Sequence, residues 1–105
     1  MANGRLAALD LTDGINNTVY TVPAGVTAAV TVRIVNRSGA TAKVRLAIAT
    51  SATPLAYEWL DYEAPIPSCG VLDETGLTVD ATKLLVAYTD TADVNMLVWG
   101  YEDTL

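Results

Sequence analysis

Between Thr27 and Asn36 the side chains alternate in character with a period of two. Val30, Val32 and Ile34 fall on one side, and Thr31, Arg33 and Val35 on the other. That period belongs to an extended strand with one face on a core, and no stretch of useful length repeats with the 3.6-residue period of a helix. Lys43–Ala49 repeats the pattern, with Val44, Leu46 and Ile48 against Lys43, Arg45 and Ala47. The turn residues Asn36-Arg-Ser-Gly39 lie between the two runs, so the pair reads as a hairpin with a slightly long loop.

The rest of the chain is punctuated in the same way. Asn17–Val22 reads as a short strand closed by Pro23-Ala-Gly25, where Pro sets φ and Gly supplies the turn. Tyr57–Glu63 and Val71–Val79 read as strands on either side of Pro65-Ile-Pro67. Lys83–Thr89 and Val94–Tyr101 read as a closing hairpin around Asp90-Thr-Ala-Asp93. Arg5–Leu11 fits either a helical turn, through Leu6 and Leu9, or a pairing arm. Turn signals every 8–12 residues or so predict an all-β fold, an antiparallel β-sandwich or a barrel. At 105 residues the chain is one domain, 1–105, with 1–11 a candidate N-terminal arm.

Composition narrows the chemistry. There is no His, which removes the commonest general base and metal ligand, and the single Cys69 excludes an intrachain disulfide or a cysteine zinc site. Cys69, between Pro67 and Gly70, reads as a small packing residue. Ser38, Ser51 and Ser68 have no base to activate them, and the glycines are scattered singly, with no phosphate-binding loop. The acids Asp10/Asp13, Asp73/Glu74, Asp90/Asp93 and Glu102/Asp103 read as solvated turn residues without a calcium loop. The expectation is therefore no catalytic residue, no cofactor and no metal. A formal charge of -6 argues against nucleic acid as partner. No run approaches the ~20 apolar residues of a membrane span, and Met1-Ala-Asn-Gly-Arg5 lacks the order of a signal peptide. The sequons at Asn16 and Asn36 are accordingly expected to be idle.

Three features stand out as candidate sites. Arg33, Arg37, Lys43 and Arg45 cluster across the expected β-hairpin, as a solvated strand face or as a docking patch for an acidic partner. In Val94–Tyr101 the core side is taken by Val94, Met96 and Val98, leaving Leu97, Trp99 and Tyr101 on the other. In Tyr57–Glu63, strict alternation puts Tyr57, Trp59, Asp61 and Glu63 on one side and Leu60 and Tyr62 on the other. Strands apolar on both faces lie centrally or are covered by a partner, and Trp and Tyr are enriched at interfaces. Tyr57 and Trp59 beside carboxylates also suit sugar stacking; a glycosidase pair is the weaker reading, because the carboxylates sit close along one strand.

The order Tyr20-Thr-Val-Pro-Ala-Gly25, Val32-Arg-Ile-Val-Asn-Arg37, Tyr62-Glu-Ala-Pro-Ile-Pro67, Gly70-Val-Leu-Asp-Glu-Thr-Gly76-Leu77 and Val98-Trp-Gly-Tyr101 resembles small β-sandwich virion proteins of tailed bacteriophages. These are the capsid decoration (cement) proteins and related tail or fibre modules. The resemblance runs from Asn17 to Glu102. It implies an immunoglobulin-like or jelly-roll sandwich without catalytic activity, made in the host cytoplasm and placed on the capsid exterior. It also implies binding to the major capsid protein as a homo-oligomer, a trimer being favoured. The aromatic strand then faces sister subunits, and the basic hairpin faces the capsid. The alternative is a tail-fibre or baseplate module, with or without carbohydrate binding.

Overall fold

The computed structural model describes residues 3–104. They form eight strands: β1 (Asn3–Asp10), β2 (Asn17–Thr21), β3 (Val26–Asn36), β4 (Ala42–Ala49), β5 (Trp59–Ile66), β6 (Val71–Val79), β7 (Leu84–Thr89) and β8 (Val94–Thr104). The strands build two four-stranded sheets, in the orders β1-β8-β3-β6 and β2-β7-β4-β5. Every pairing is antiparallel. The protein is an antiparallel β-sandwich, and this strand order is that of a jelly roll rather than an immunoglobulin domain.

The period-two pattern places the core as expected. Val30, Val32 and Ile34 of β3, Val44 and Leu46 of β4 and Val94, Met96 and Val98 of β8 meet between the sheets, with Ile66, Val79 and Leu85. The ambiguous start of the chain resolves as β1, an edge strand on β8. A bulge between Arg5 and Ala7 turns Leu6 and Ala7 toward the core, while Leu9 stays exposed. The apparent helical spacing of Leu6 and Leu9 is thus the trace of an irregular strand.

Neither expected hairpin forms. β3 lies in one sheet and β4 in the other, as do β8 and β7. Within the described residues, only β4 and β5 are both consecutive in sequence and paired. Alternation decides which face of a strand is buried, but it does not choose the neighbour. β3 has both edges taken by β6 and β8, and β4 by β5 and β7.

The crossovers are held by the buried polar residues Asn17, Asn36 and Thr89. Asn36 Nδ2 donates to the carbonyls of Ala40 (2.8 Å), Ile66 (2.9 Å) and Pro67 (3.2 Å). Its Oδ1 accepts from Ser38 N (2.9 Å) and Ser38 Oγ (2.6 Å). One side chain therefore fixes both the β3–β4 and the β5–β6 crossovers. Asn17 Nδ2 donates to the carbonyls of Thr12, Ile15 and Ala87, and its Oδ1 accepts from Thr12 N. Thr89 Oγ1 donates to the Thr91 carbonyl and accepts from its N–H. Cys69 is not a packing residue. It is exposed, at φ 61° in the tight Pro67–Gly70 turn.

Gly100 marks a close approach of β8 to β3. A Cβ there would lie 2.0 Å from the Ala29 carbonyl oxygen, so only glycine lets β8 stay in register with β3.

Removing the Asn36 amide leaves three carbonyls without their donor, two of them on the crossover after β5. Asn36→Ala is expected to cost about 3–5 kcal/mol, lowering the melting temperature by more than about 10 °C. Asn36→Asp keeps the acceptor for Ser38 but turns a carboxylate oxygen toward the carbonyls, and is expected to be at least as damaging. Thermal unfolding followed by circular dichroism checks both.

Candidate functional site

The two sheets present two outer faces, and the predicted site residues divide between them. On the β1-β8-β3-β6 face, Leu97, Trp99 and Tyr101 run along β8, with Trp99 37% and Tyr101 55% exposed. Register sets Trp99 between Arg5 and Thr31, Tyr101 between Asn3 and Ala29, and Leu97 between Ala8 and Arg33. Val35, opposite Asn95, and the exposed Val71, opposite Val35, lie on the β3 and β6 part of the same sheet. Between Trp99 and Tyr101 the surface dips into a shallow depression of ≈ 240 Å³, floored by Gly100, Ala29 and Gly76. The expected split of β8 into core and outer residues is what the structure shows.

The basic cluster does not survive as one patch, because β3 and β4 belong to different sheets. Arg33 sits on the first face in a two-point ion pair with Asp73, at 2.7 and 2.9 Å. Arg37, in the crossover, is paired with Asp10 and donates to Asn95 Oδ1 at 3.0 Å. Lys43 and Arg45 stand on β4, in the second sheet. The backbone N–H of Lys43 donates to Asp90 Oδ1 at 2.9 Å. That bond, followed by one from Thr91, lowers the Asp90 pKa below the ordinary carboxylate value. Arg33 in turn lowers the pKa of Asp73.

On the β2-β7-β4-β5 face the residues form an aromatic cluster around a cation. The Arg45 guanidinium lies 4.4 Å from the Tyr62 ring centroid, 4.5 Å from that of Tyr88 and 5.9 Å from that of Trp59. Glu63 Oε1 accepts from its Nη2 at 2.6 Å. Trp59 packs on a small second apolar cluster of Ala47, Ala49 and Val86. Trp59 and Tyr62 meet edge to face, with centroids 5.7 Å apart and planes at 67°.

This arrangement corrects the alternation expected of Tyr57–Glu63. Tyr57 lies ahead of β5 in the connecting loop, 84% exposed, and the strand begins at Trp59. The β4–β5 register shifts on both sides of Leu46, and Glu63 takes φ 55°. These irregularities bring Tyr62 beside Trp59, where strict alternation puts them on opposite sides. They also separate the carboxylates. Glu63 holds Arg45, while Asp61, opposite the core residue Leu46, interacts with Glu74. The glycosidase pair Asp61/Glu63 is therefore broken up.

Two inter-sheet links were hidden from the sequence. At one edge, Tyr20 of β2 donates its hydroxyl to Glu102 of β8. Burial, then that bond and the carboxylate charge, push the phenol pKa well above its ordinary value. At the other edge, Asp61 of β5 meets Glu74 of β6. One Asp61 oxygen is buried with no other donor, and Glu74 can supply one only in its protonated form. The hydrogen bond to Asp61, with burial and the repulsion of its charge, pushes the Glu74 carboxyl up to about 7. Asp73/Glu74 and Glu102/Asp103 are thus strand residues, not turn acids.

Among the described residues, no three His, Cys, Asp or Glu side chains converge as metal ligands. The sequence matches no family model and no curated protein.

The Glu74 carboxyl keeps its proton up to about pH 7 in the folded chain and has an ordinary pKa when unfolded. Its contribution is complete below about pH 4.5 and is lost as pH rises through about 7. Stability is therefore expected to fall between about pH 5 and pH 8, and Glu74→Gln to flatten that fall. Chemical denaturation at several pH values measures it. Losses from Asp73 and Asp90, whose pKa values are lowered, belong to a separate window below about pH 4.

Proposed function

We propose that the chain is a non-enzymatic structural protein of a tailed-bacteriophage virion, a capsid decoration (cement) protein. It binds the outer surface of the major capsid protein shell and stabilises the head by non-covalent contacts. The reading rests on the sequence resemblance together with one feature of the fold. The face of β8 turned away from the core carries Leu97, Trp99 and Tyr101 in an unbroken row.

A sandwich needs apolar side chains only on its inner faces. A second apolar row on a central strand gains nothing until something covers it. Two charged residues beside the row are paired, Arg33 with Asp73 and Arg37 with Asp10, while Arg5 stands opposite Trp99 with no ion pair among the described residues. An apolar centre with a polar rim is the usual anatomy of a protein interface. Sister copies cover this face in a homo-oligomer, a trimer, and capsid subunits take the remaining contacts. Modest contacts of this kind become strong by repetition over the symmetric shell. Because Arg33 and Arg37 are engaged within the chain, attachment works mainly through shape and apolar area. The protein is made in the host cytoplasm and resides on the capsid exterior.

Purified particles of the virus that carries the gene are expected to contain it in hundreds of copies. A handful per particle would overturn the reading and point to the tail. In the isolated protein, Trp99→Ala with Tyr101→Ala is expected to abolish the oligomer in analytical ultracentrifugation, while the monomer melts within a few degrees of the parent. An intact oligomer in that variant would remove β8 from the interface.

A further inference from the structure

The β2-β7-β4-β5 face carries a second surface of a different kind. Beside Trp59 and Tyr62 lies a depression of ≈ 390 Å³ lined by these two rings and Ala56. Its volume is in the range of small-molecule sites. The edge-to-face contact at 67° makes the two rings a floor and a wall.

The corner is rigid before any ligand arrives. Arg45 stacks on Tyr62 and is tied to Glu63, and Trp59 is seated on Ala47, Ala49 and Val86. The loop that carries Ala56 is folded around Glu58. Its carboxylate accepts from Leu55 N (2.8 Å), Thr50 N (3.2 Å) and Thr50 Oγ1 (3.3 Å), and its own N–H donates to the Leu55 carbonyl. Preorganisation of this sort removes much of the ordering cost of binding.

We propose that this corner binds a neutral saccharide, one ring stacking in the angle between Trp59 and Tyr62. A sugar ring has an apolar C–H face and a rim of hydroxyls, and the corner offers the complement of both. Tyr62 is 60% exposed despite Arg45. The Trp59 indole N–H and the Tyr62 hydroxyl, on the two rings that line the corner, make no hydrogen bond within the described residues and are free for hydroxyl groups. A cationic ligand would compete with Arg45 for the same rings. An anionic one would meet Glu58 and Glu63 on a chain of charge -6. A proline-rich peptide needs a succession of grooves along an extended path, where this face has a single corner.

The proposal is tested on the full chain with Trp99→Phe, which leaves Trp59 as the one indole. The probes are glucose, galactose, N-acetylglucosamine and their neutral oligomers, on a glycan array and by fluorescence titration. The expected result is a saturable change in Trp59 emission. Tyr62→Ala, and Ala56→Phe which fills the corner from an exposed loop position, should each weaken binding at least about tenfold, equivalent to about 1.4 kcal/mol. The melting temperature of Ala56→Phe should be unchanged, and Tyr62→Ala, which loses its contacts with Arg45 and Trp59, should melt lower but remain fully folded at the titration temperature. The proposal is overturned if no neutral glycan is retained and emission does not saturate at tens of millimolar saccharide (order of magnitude). It is also overturned if binding survives both substitutions, or if a proline-rich peptide saturates the site and the saccharides do not. None of these outcomes depends on the copy number in virions.

Discussion

Carrying the chain back and forth between two sheets is the constraint on which this structure depends. Facing sheets stand about 10 Å apart, and a segment crossing that gap leaves backbone groups that neither ladder can pair. The chain meets the cost with side chains. The only polar residues buried among the described ones, Asn17, Asn36 and Thr89, all stand at crossovers. Asn36 has the largest share, because its amide reaches the carbonyls of two crossovers at once. Without that amide the ends of β3 and β5 have no common anchor, and the register of both sheets loosens with it.

With the crossovers fixed, the sandwich can spend its remaining polar groups at the edges. Tyr20 with Glu102, and Asp61 with Glu74, tie one sheet to the other on opposite sides of the core. They differ in kind. The first is a neutral donor on an acceptor. The second pairs two acids, and needs a proton to be favourable. The outer faces are then left to side chains that the core does not require, and this freedom lets one face carry the β8 row and the other the Arg45 cluster.

The fold class was legible because a period of two survives any choice of neighbour. Val30, Val32, Ile34, Val94, Met96 and Val98 all point inward as their spacing says. Pairing was not legible, since Asn36-Arg-Ser-Gly39 is as good a turn for a hairpin as for a crossover. What distinguishes the two is the burial of the Asn36 amide, which exists only once β5 and β6 have arrived. For the same reason Arg33, Arg37, Lys43 and Arg45 looked like one patch and are two. The β8 row was readable because that strand alternates without interruption. The aromatic corner was half readable: Trp59 was found, whereas Tyr62 was assigned to the wrong side and Ala56 not at all. The irregular pairing near Leu46, with its positive φ at Glu63, has no sequence signature.

The strand order also says where the fold can begin. β4 pairs with β5, β3 with β6, β2 with β7 and β1 with β8. These pairs are nested, as in one long antiparallel ribbon that has been doubled over and rolled. Closing the inner pair fixes the shortest loop, and each outer pair then closes onto ends already brought together. The tip of the ribbon, β4 and β5, is thus the one place where pairing is local, and it also holds Arg45, Trp59, Tyr62 and Glu63. The ion pair and ring contacts of that cluster join β4 to β5 directly. They need no residue of the other sheet. The residues of the proposed saccharide corner are therefore held by the contacts within the innermost strand pair.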